Sequence, residues 1–254
     1  MSTEIRIRAF RAPEDPQTCF NFIEGHRKVL SIYGIENITT NNNDWVNHNN
    51  IFVIVVESLD GKKLYGGARI ECVDGIHQLP IEEATGDMDP KIHEVVRYYA
   101  QFGAGEISGL WNSKEVAGLG IGSIYPSRVA VALASQIGVE VMFSLCSPAT
   151  VRFQKWLGGR ELVDVGNRGT FYYPKLDLVA TALFCDEMIE LSHTIQREKD
   201  KALAIRDNPT AVVKEKSPFG NVDVIIHYDT VLKSAHPNEF KLHLPTSYKP
   251  SPNQ

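Results

Sequence analysis

A run in the middle of the chain, EISGLWNSKEVAGLGIGSIYPSRVAVALA (Glu106–Ala134), ties a β-rich stretch to an apolar helix through a glycine turn. Glu106–Trp111 reads as a short strand, Asn112–Gly122 as a polar, then glycine-rich connector, and Ile124–Ile137 as a helix. Pro126 suits that helix only in its first turn, where the amides lack intrahelical partners anyway. Gly118, Gly120 and Gly122 alternate along the connector. Glycines in such a place let backbone amides approach an anion, and the helix start adds a favourable dipole, so a diphosphate is the expected guest. The same glycines equally suit a plain turn that needs positive φ.

The flanking chain supplies further strands and helices. Ile5–Phe10 alternates with a period of two and predicts a strand. Asp15-Pro16 opens a helix in which Phe20, Ile23 and Val29–Leu30 suit a buried stripe. The Asn-rich segment Asn37–Asn50 predicts a loop. IFVIVVES and KLYGGARIE flank Asp60-Gly61, a strong hairpin signal. After Asp89-Pro90, Ile92, Val95, Val96 and Tyr99 recur at helical spacing. Val139–Cys146 predicts a buried strand, Ala149–Leu157 a helix stopped by Gly158-Gly159, and Glu161–Val165 and Thr170–Tyr173 strands. Beyond Pro174, Met188, Leu191, Ile195, Ala202 and Ile205 line a long charged helix ended by Asn208-Pro209. Val222–Tyr228 is a further strand, and from His236 the composition predicts a flexible tail.

Composition narrows the function classes. The 254 residues, 43% hydrophobic and 9% aromatic, suffice for a core without staples and exclude general disorder. A net charge of -5 argues against a nucleic-acid partner, whose phosphates demand a basic surplus. Cys19, Cys72, Cys146 and Cys185 form no C-x-x-C pair and read as buried thiols of a reducing compartment. None of the eight histidines has a partner at ligand spacing, so no metal is expected. The start MSTEIRIRAF is unlike a secretory signal, and the window Val129–Cys146 is interrupted by Gln136 and Glu140. A cytoplasmic protein without a membrane span is the expectation.

Two guests compete for the glycine turn. A dinucleotide fold wants G-x-G-x-x-G near the first strand and an acid ending the next one. Here the spacing is Gly118-x-Gly120-x-Gly122 in mid-chain, and Glu140 begins the following strand. The other guest is the pyrophosphate of coenzyme A. The segment Glu115, Gly118, Gly120, Ile121, Gly122 resembles the Q/R-x-x-G-x-G/A pattern of the GNAT superfamily of acyltransferases, with Glu115 in place of the Gln or Arg. The later pattern N-x-x-A-x-x-F-Y-x-K-x-G-F maps loosely onto Ser147, Thr150, Phe153, Gln154 and Gly158, so the family's proton-donating tyrosine falls on Gln154. HRKVLSIYGI, GGARIE, QLPIEEA and E-I-S also resemble the branch of autoinducer synthases and long-chain N-acyl amino acid synthases, except that Gly109 stands where its arginine follows E-I-S. Arg27, Asp44, Arg69 and Glu106 fall where that branch keeps polar residues.

The resemblance implies an α/β (α+β) fold: a mixed, mostly antiparallel sheet flanked by helices. It covers residues 1–175 as a core, leaving 176–235 as a helix-and-strand extension and 236–254 as the tail. It implies transfer of an acyl group from acyl-CoA, or from the phosphopantetheine of an acyl carrier protein, to a small amine such as an amino acid. The alternative is a protein of this kind that binds an acyl thioester without turnover. Glu106 is the expected general base, with a solvated strand-end carboxylate as the plainer reading. Tyr173, beside Tyr172, is a candidate for the missing acid. The amides of Leu110, Trp111 and Asn112 are expected on the pantetheine arm, and those of Glu115, Val116, Ala117, Gly118, Leu119, Gly120, Ile121 and Gly122 on the pyrophosphate. Arg152, near Lys155, Arg160 and Arg168, could meet a phosphate or an acidic carrier, and Arg27 and Arg69 a substrate carboxylate. The helix beyond residue 175 would cover the acyl pocket or join a homodimer.

Overall fold

The computed structural model describes residues 3–35 and 43–251. Its elements are β1 (Thr3–Arg11), α1 (Pro16–Ile32), β2 (Ile51–Glu57), β3 (Leu64–Cys72), α2 (Pro80–Thr85), α3 (Lys91–Ala100), β4 (Ala104–Asn112), α4 (Ile124–Ile137), β5 (Val141–Cys146), α5 (Val151–Trp156), β6 (Arg160–Glu161), β7 (Thr170–Tyr172), β8 (Val179–Cys185), α6 (Gln196–Asp207), β9 (Val212–Lys216) and β10 (Asp223–Asp229). The strands form one sheet in the order β6-β8-β5-β4-β3-β2-β1-β10-β9, with β7 also on β8. β1 with β10 and β4 with β5 are parallel pairs, and the other pairings are antiparallel. This is the mixed, mostly antiparallel sheet expected.

Local chemistry explains the first half. Asp15 Oδ1 accepts from Thr18 N at 3.0 Å and Pro16 opens α1, as the Asp-Pro pair predicts. The stripe that α1 buries is Cys19, Phe22, Ile23 and His26; Ile23 is where the expected face put it, while Phe20 is exposed. β2 and β3 make the expected hairpin, with Gly61 at φ +70° in its turn. β2 is buried along its whole length, because Val53 and Val55 join the core cluster of α1 on one face and Phe52, Ile54 and Val56 that of α4 on the other. Of the predicted loop Asn37–Asn50, residues up to 42 lie outside the described ones; Asp44–Asn47 is a 3-10 turn that buries Trp45. QLPIEEA contributes α2, whose start is boxed by Glu82 Oε2 accepting from Leu79 N at 2.8 Å.

The second half departs further. Only Gln196–Asp207 of the long helix is helical. Met188 and Leu191 are buried in the preceding turns, where Glu187 and Leu191 adopt positive φ and Arg206 donates to the carbonyls of Met188 and Ile189. β8, a buried apolar run, and β9 are strands that the sequence pattern did not separate from their surroundings. Both β8 and β10 belong to the common sheet, so residue 175 marks no break in it. α6 packs against α4 rather than over a pocket, through the buried Arg128, which meets Glu198 at 2.8 Å and Glu215 at 2.9 Å. Residues 236–251 form no helix or strand, yet Phe240 and Tyr248 are buried and Leu242 N donates to Ala100 O at 2.9 Å.

Candidate active site

β4 and β5 pair only over Ala104–Glu106 and Val141–Phe143. Further on, β4 stays with β3 and β5 with β8, so the two strands part. A bulge sharpens the divergence: Gly67 pairs with Trp111 and Arg69 with Ser108, leaving Gly109 and Leu110 opposite Ala68. Gly109 sits at φ +58°, a conformation that excludes most side chains. The edge of β4 beyond Glu106 thus faces a cavity of about 660 Å³, bounded by the second half of α1, the end of β5 and the 173–178 turn. Leu30, Ile107, Leu110, Leu145 and Leu178 make much of its wall apolar.

Register brings four polar groups together at the inner end of β4. Arg69 is paired with Ser108 and Glu71 with Glu106, so all four side chains leave the sheet on one face. Glu71 Oε1 accepts from Arg69 NH2 at 2.7 Å and from Ser108 Oγ at 2.6 Å. Glu106 and Ser108 line the cavity. Glu106 Oε2 accepts from Ile81 N at 2.7 Å, and the residue is 2% exposed. Burial, with Glu71 and Glu82 adding negative charge, pushes the Glu106 carboxyl well above the usual range. Burial and Glu71 also raise Glu83. His26, in the wall on α1, is pushed down to about 3 by burial and by the Arg69 charge, and rests neutral. The Arg69 guanidinium lies 4.3 Å from the Trp45 ring, and its Nε and NH1 have no partner.

The glycine turn at the outer end of β4 is partly occupied by its own fold. The amides of Val116, Ala117 and Leu119 donate to the carbonyls of Ser113, Lys114 and Val116, and Gly122 N donates to Asn112 Oδ1 at 2.7 Å. Gly118 and Gly120 have φ of +76° and +73°. A Cβ on Gly118 would meet nothing within 4 Å, whereas one on Gly120 would press on Pro218 and Phe219 in the β9–β10 turn. Phe219 N donates to Leu119 O at 3.0 Å. Val116 and Ile121 are core side chains.

The other predicted residues scatter. Trp111 packs in the core against Phe22, 5.9 Å between ring centroids. Glu115 pairs on the surface with Lys63 at 3.3 Å. Arg152 is exposed over Trp156, while Lys155 and Arg160 are taken by Glu161 and Asp186. Arg27 is on the exposed side of α1, outside the cavity wall. Tyr173 lines the cavity and Tyr172 is 64% exposed. Gln154 also lines it, with Nε2 donating to Ser127 Oγ at 3.2 Å. His26, Glu71 and Ser108 were not singled out from the sequence. His26 continues the Cys19–Phe22–Ile23 stripe by one turn, a signal that was available; strand pairing, not spacing, joins Glu71 to Ser108. Among the described residues, no group of three or more His, Cys, Asp or Glu could hold a metal, and no helix is long and apolar enough to cross a membrane.

No protein-family model matches the chain, and no curated protein matches its sequence. Solved structures do. FeeM, an N-acyl amino acid synthase from uncultured soil microbes, superposes with a TM-score of 0.56 at 14% identity, covering 75% of this chain and 95% of that one. Escherichia coli ElaA gives 0.50 at 11% identity, covering 72% and 99%. BjaI, a CoA-dependent acyl-homoserine lactone synthase, gives 0.49 at 12% identity over 84% and 93%, too loose an overlap to carry an argument. At these identities the likeness shows the fold: a GNAT-like fold of the kind seen in FeeM.

Proposed function

We propose that this chain is an N-acyltransferase that moves an acyl group from a pantetheine thioester to a small amine, with an amino acid as the fitting acceptor. The observation that carries the reading is the parted β4–β5 pair, which opens an apolar cavity onto an unpaired strand edge beside the buried carboxyl of Glu106. Amides and carbonyls along Ile107–Asn112 suit the pantetheine amides, which need partners when taken from water. The amides of Gly118, Gly120 and Ile121, which the turn does not consume, are the part of the glycine motif left for the pyrophosphate. Arg152 would meet a donor phosphate or the acidic face of a carrier protein. Apolar walls suit the acyl chain. Glu106 is the acid–base group, and Tyr173 remains a further proton donor at the wall. Arg69 is paired with Glu71 behind Ser108, whereas Arg27 is on the outside.

The second reading, thioester binding without turnover, is favoured by one observation. Gln154, at the position of the family tyrosine, is engaged with Ser127, and an amide is no proton donor for a thiolate. Incubating the protein with acyl-CoA and a set of amines separates the two. Free thiol together with an N-acyl product of matching mass supports transfer. Tight donor binding without product supports the second reading, and the absence of both overturns the pair.

A further inference from the structure

The Glu71–Glu106 pair is asymmetric in a way that divides labour. The two residues are direct partners across β3 and β4, yet both the Arg69 guanidinium and the Ser108 hydroxyl serve Glu71. Arg69 NH2 and Ser108 Oγ both address the same oxygen, Glu71 Oε1. Glu106 receives one backbone amide, from Ile81, and is flanked by Glu71 on β3, Glu82 on α2 and Cys146 on β5, with Arg69 as an opposing charge. Of the hydrogen-bonded chain Arg69–Glu71–Ser108, it is Ser108 that reaches the cavity.

We propose that Ser108 and Glu71 form the proton-accepting arm of this site and Glu106 the proton-donating arm. This assignment rests on the acyl-transfer reading above. As the acceptor nitrogen bonds to the thioester carbonyl carbon, its proton passes to Ser108 Oγ while the Ser108 proton passes to Glu71 Oε1. The carbon–sulfur bond then breaks with its electron pair on sulfur, and the thiolate takes the Glu106 proton. One proton has entered through Glu71 and one has left through Glu106, so returning it between the neighbouring carboxyls resets the site without a further reactant. Burial and the negative neighbours of Glu106 raise its carboxyl, the direction this role needs. Ser108 touches the reactants; Glu71 acts through it and is a positioning residue, held in place by Arg69.

The test is Ser108→Ala against Ser108→Thr. The alanine variant should lower kcat about 10²-fold with the donor KM unchanged, and the threonine variant should recover most of the rate. In the wild type, kcat should fall as pH rises through the Glu106 titration, and that descent should be absent from Glu106→Gln. Normal kcat in Ser108→Ala, or a rate that climbs through the same titration, overturns the division. Carboxyl titration by NMR of Glu-labelled protein, assigned with Glu71→Gln and Glu106→Gln, needs no turnover. Glu106 protonated and Glu71 ionised near neutral pH support the assignment, and the reverse overturns it. Should the wild type turn over no amine, the acyl-transfer reading falls while the titration still decides whether the pair is divided.

Discussion

The two ends of β4 carry the two halves of the proposed site and are built in opposite ways. At the inner end, Glu106 and Ser108 meet Glu71 and Arg69 from the next strand, and the charges are buried, paired and unequal. At the outer end, the glycine turn is a stretch of contiguous chain in which the amides of Val116, Ala117, Leu119 and Gly122 are taken by nearby groups and Gly120 makes room for the C-terminal hairpin. A motif visible in sequence is therefore only partly available for a ligand, while a cluster with no sequence spacing of its own has the stronger electrostatics.

The largest effect should come from the inner end. Glu106→Gln should slow the chemical step by about 10²–10⁴-fold with little change in donor affinity. Rapid-quench turnover measures this, and an unchanged rate would move the acid–base role off Glu106. At the outer end, Gly120→Val combines a disfavoured φ with contact on Pro218 and Phe219, and should destabilise the fold by about 1–3 kcal/mol. It should also weaken coenzyme A binding by calorimetry, whereas Phe219→Ala relieves the contact and leaves the turn's amides open. Normal coenzyme A affinity in the valine variant would reduce the turn to a seat for the hairpin.

Two smaller effects concern pH. The Glu106 carboxyl titrates higher folded than unfolded, so its contribution is complete below the unfolded carboxylate range and is lost as pH rises toward the raised value. Glu106→Gln should therefore be the more stable protein on the alkaline side in thermal melts, and the crossover would vanish if Glu106 were ionised at rest. His26 runs the other way. Its folded value of about 3 lies below the unfolded one, so stability falls as pH drops from the ordinary histidine range toward 3. His26→Gln should flatten that acid limb, a shift of order a few degrees in Tm. The smallest effect belongs to Glu115→Gln at the outer end: exposed pairs such as Lys63–Glu115 are worth ~0–1 kcal/mol, so melting should hardly move. A large loss would show that the pair shapes the turn.

Legibility followed the range of the interaction. The Asp-Pro helix start, the Asp-Gly hairpin and the amphipathic α3 are decided by neighbouring residues, and each formed where the sequence predicts. The α1 face slipped because Phe20 and Phe22 are equally apolar, and only the wall of Trp45 and Trp111 selects Phe22. Beyond residue 175 the apolar spacing of Met188 and Leu191 mimicked a helix, since burial in turns leaves the same trace as burial on a helical face. Glu106 was legible as a carboxyl at a strand start, but its burial and neighbours were not.

By itself the sequence determined local features such as the Asp-Pro helix start, the Asp-Gly hairpin and the amphipathic α3, because capping, turn chemistry and periodicity act over a few residues. It also marked the strand–glycine–helix segment and the absence of a basic surplus. Only the tertiary structure decided that β4 parts from β5, that Glu71 stands beside Glu106, and that the C-terminal hairpin rests on the glycine turn. Those facts depend on pairing register between strands distant in sequence. A shift of one residue there turns every side chain to the other face without changing any local pattern.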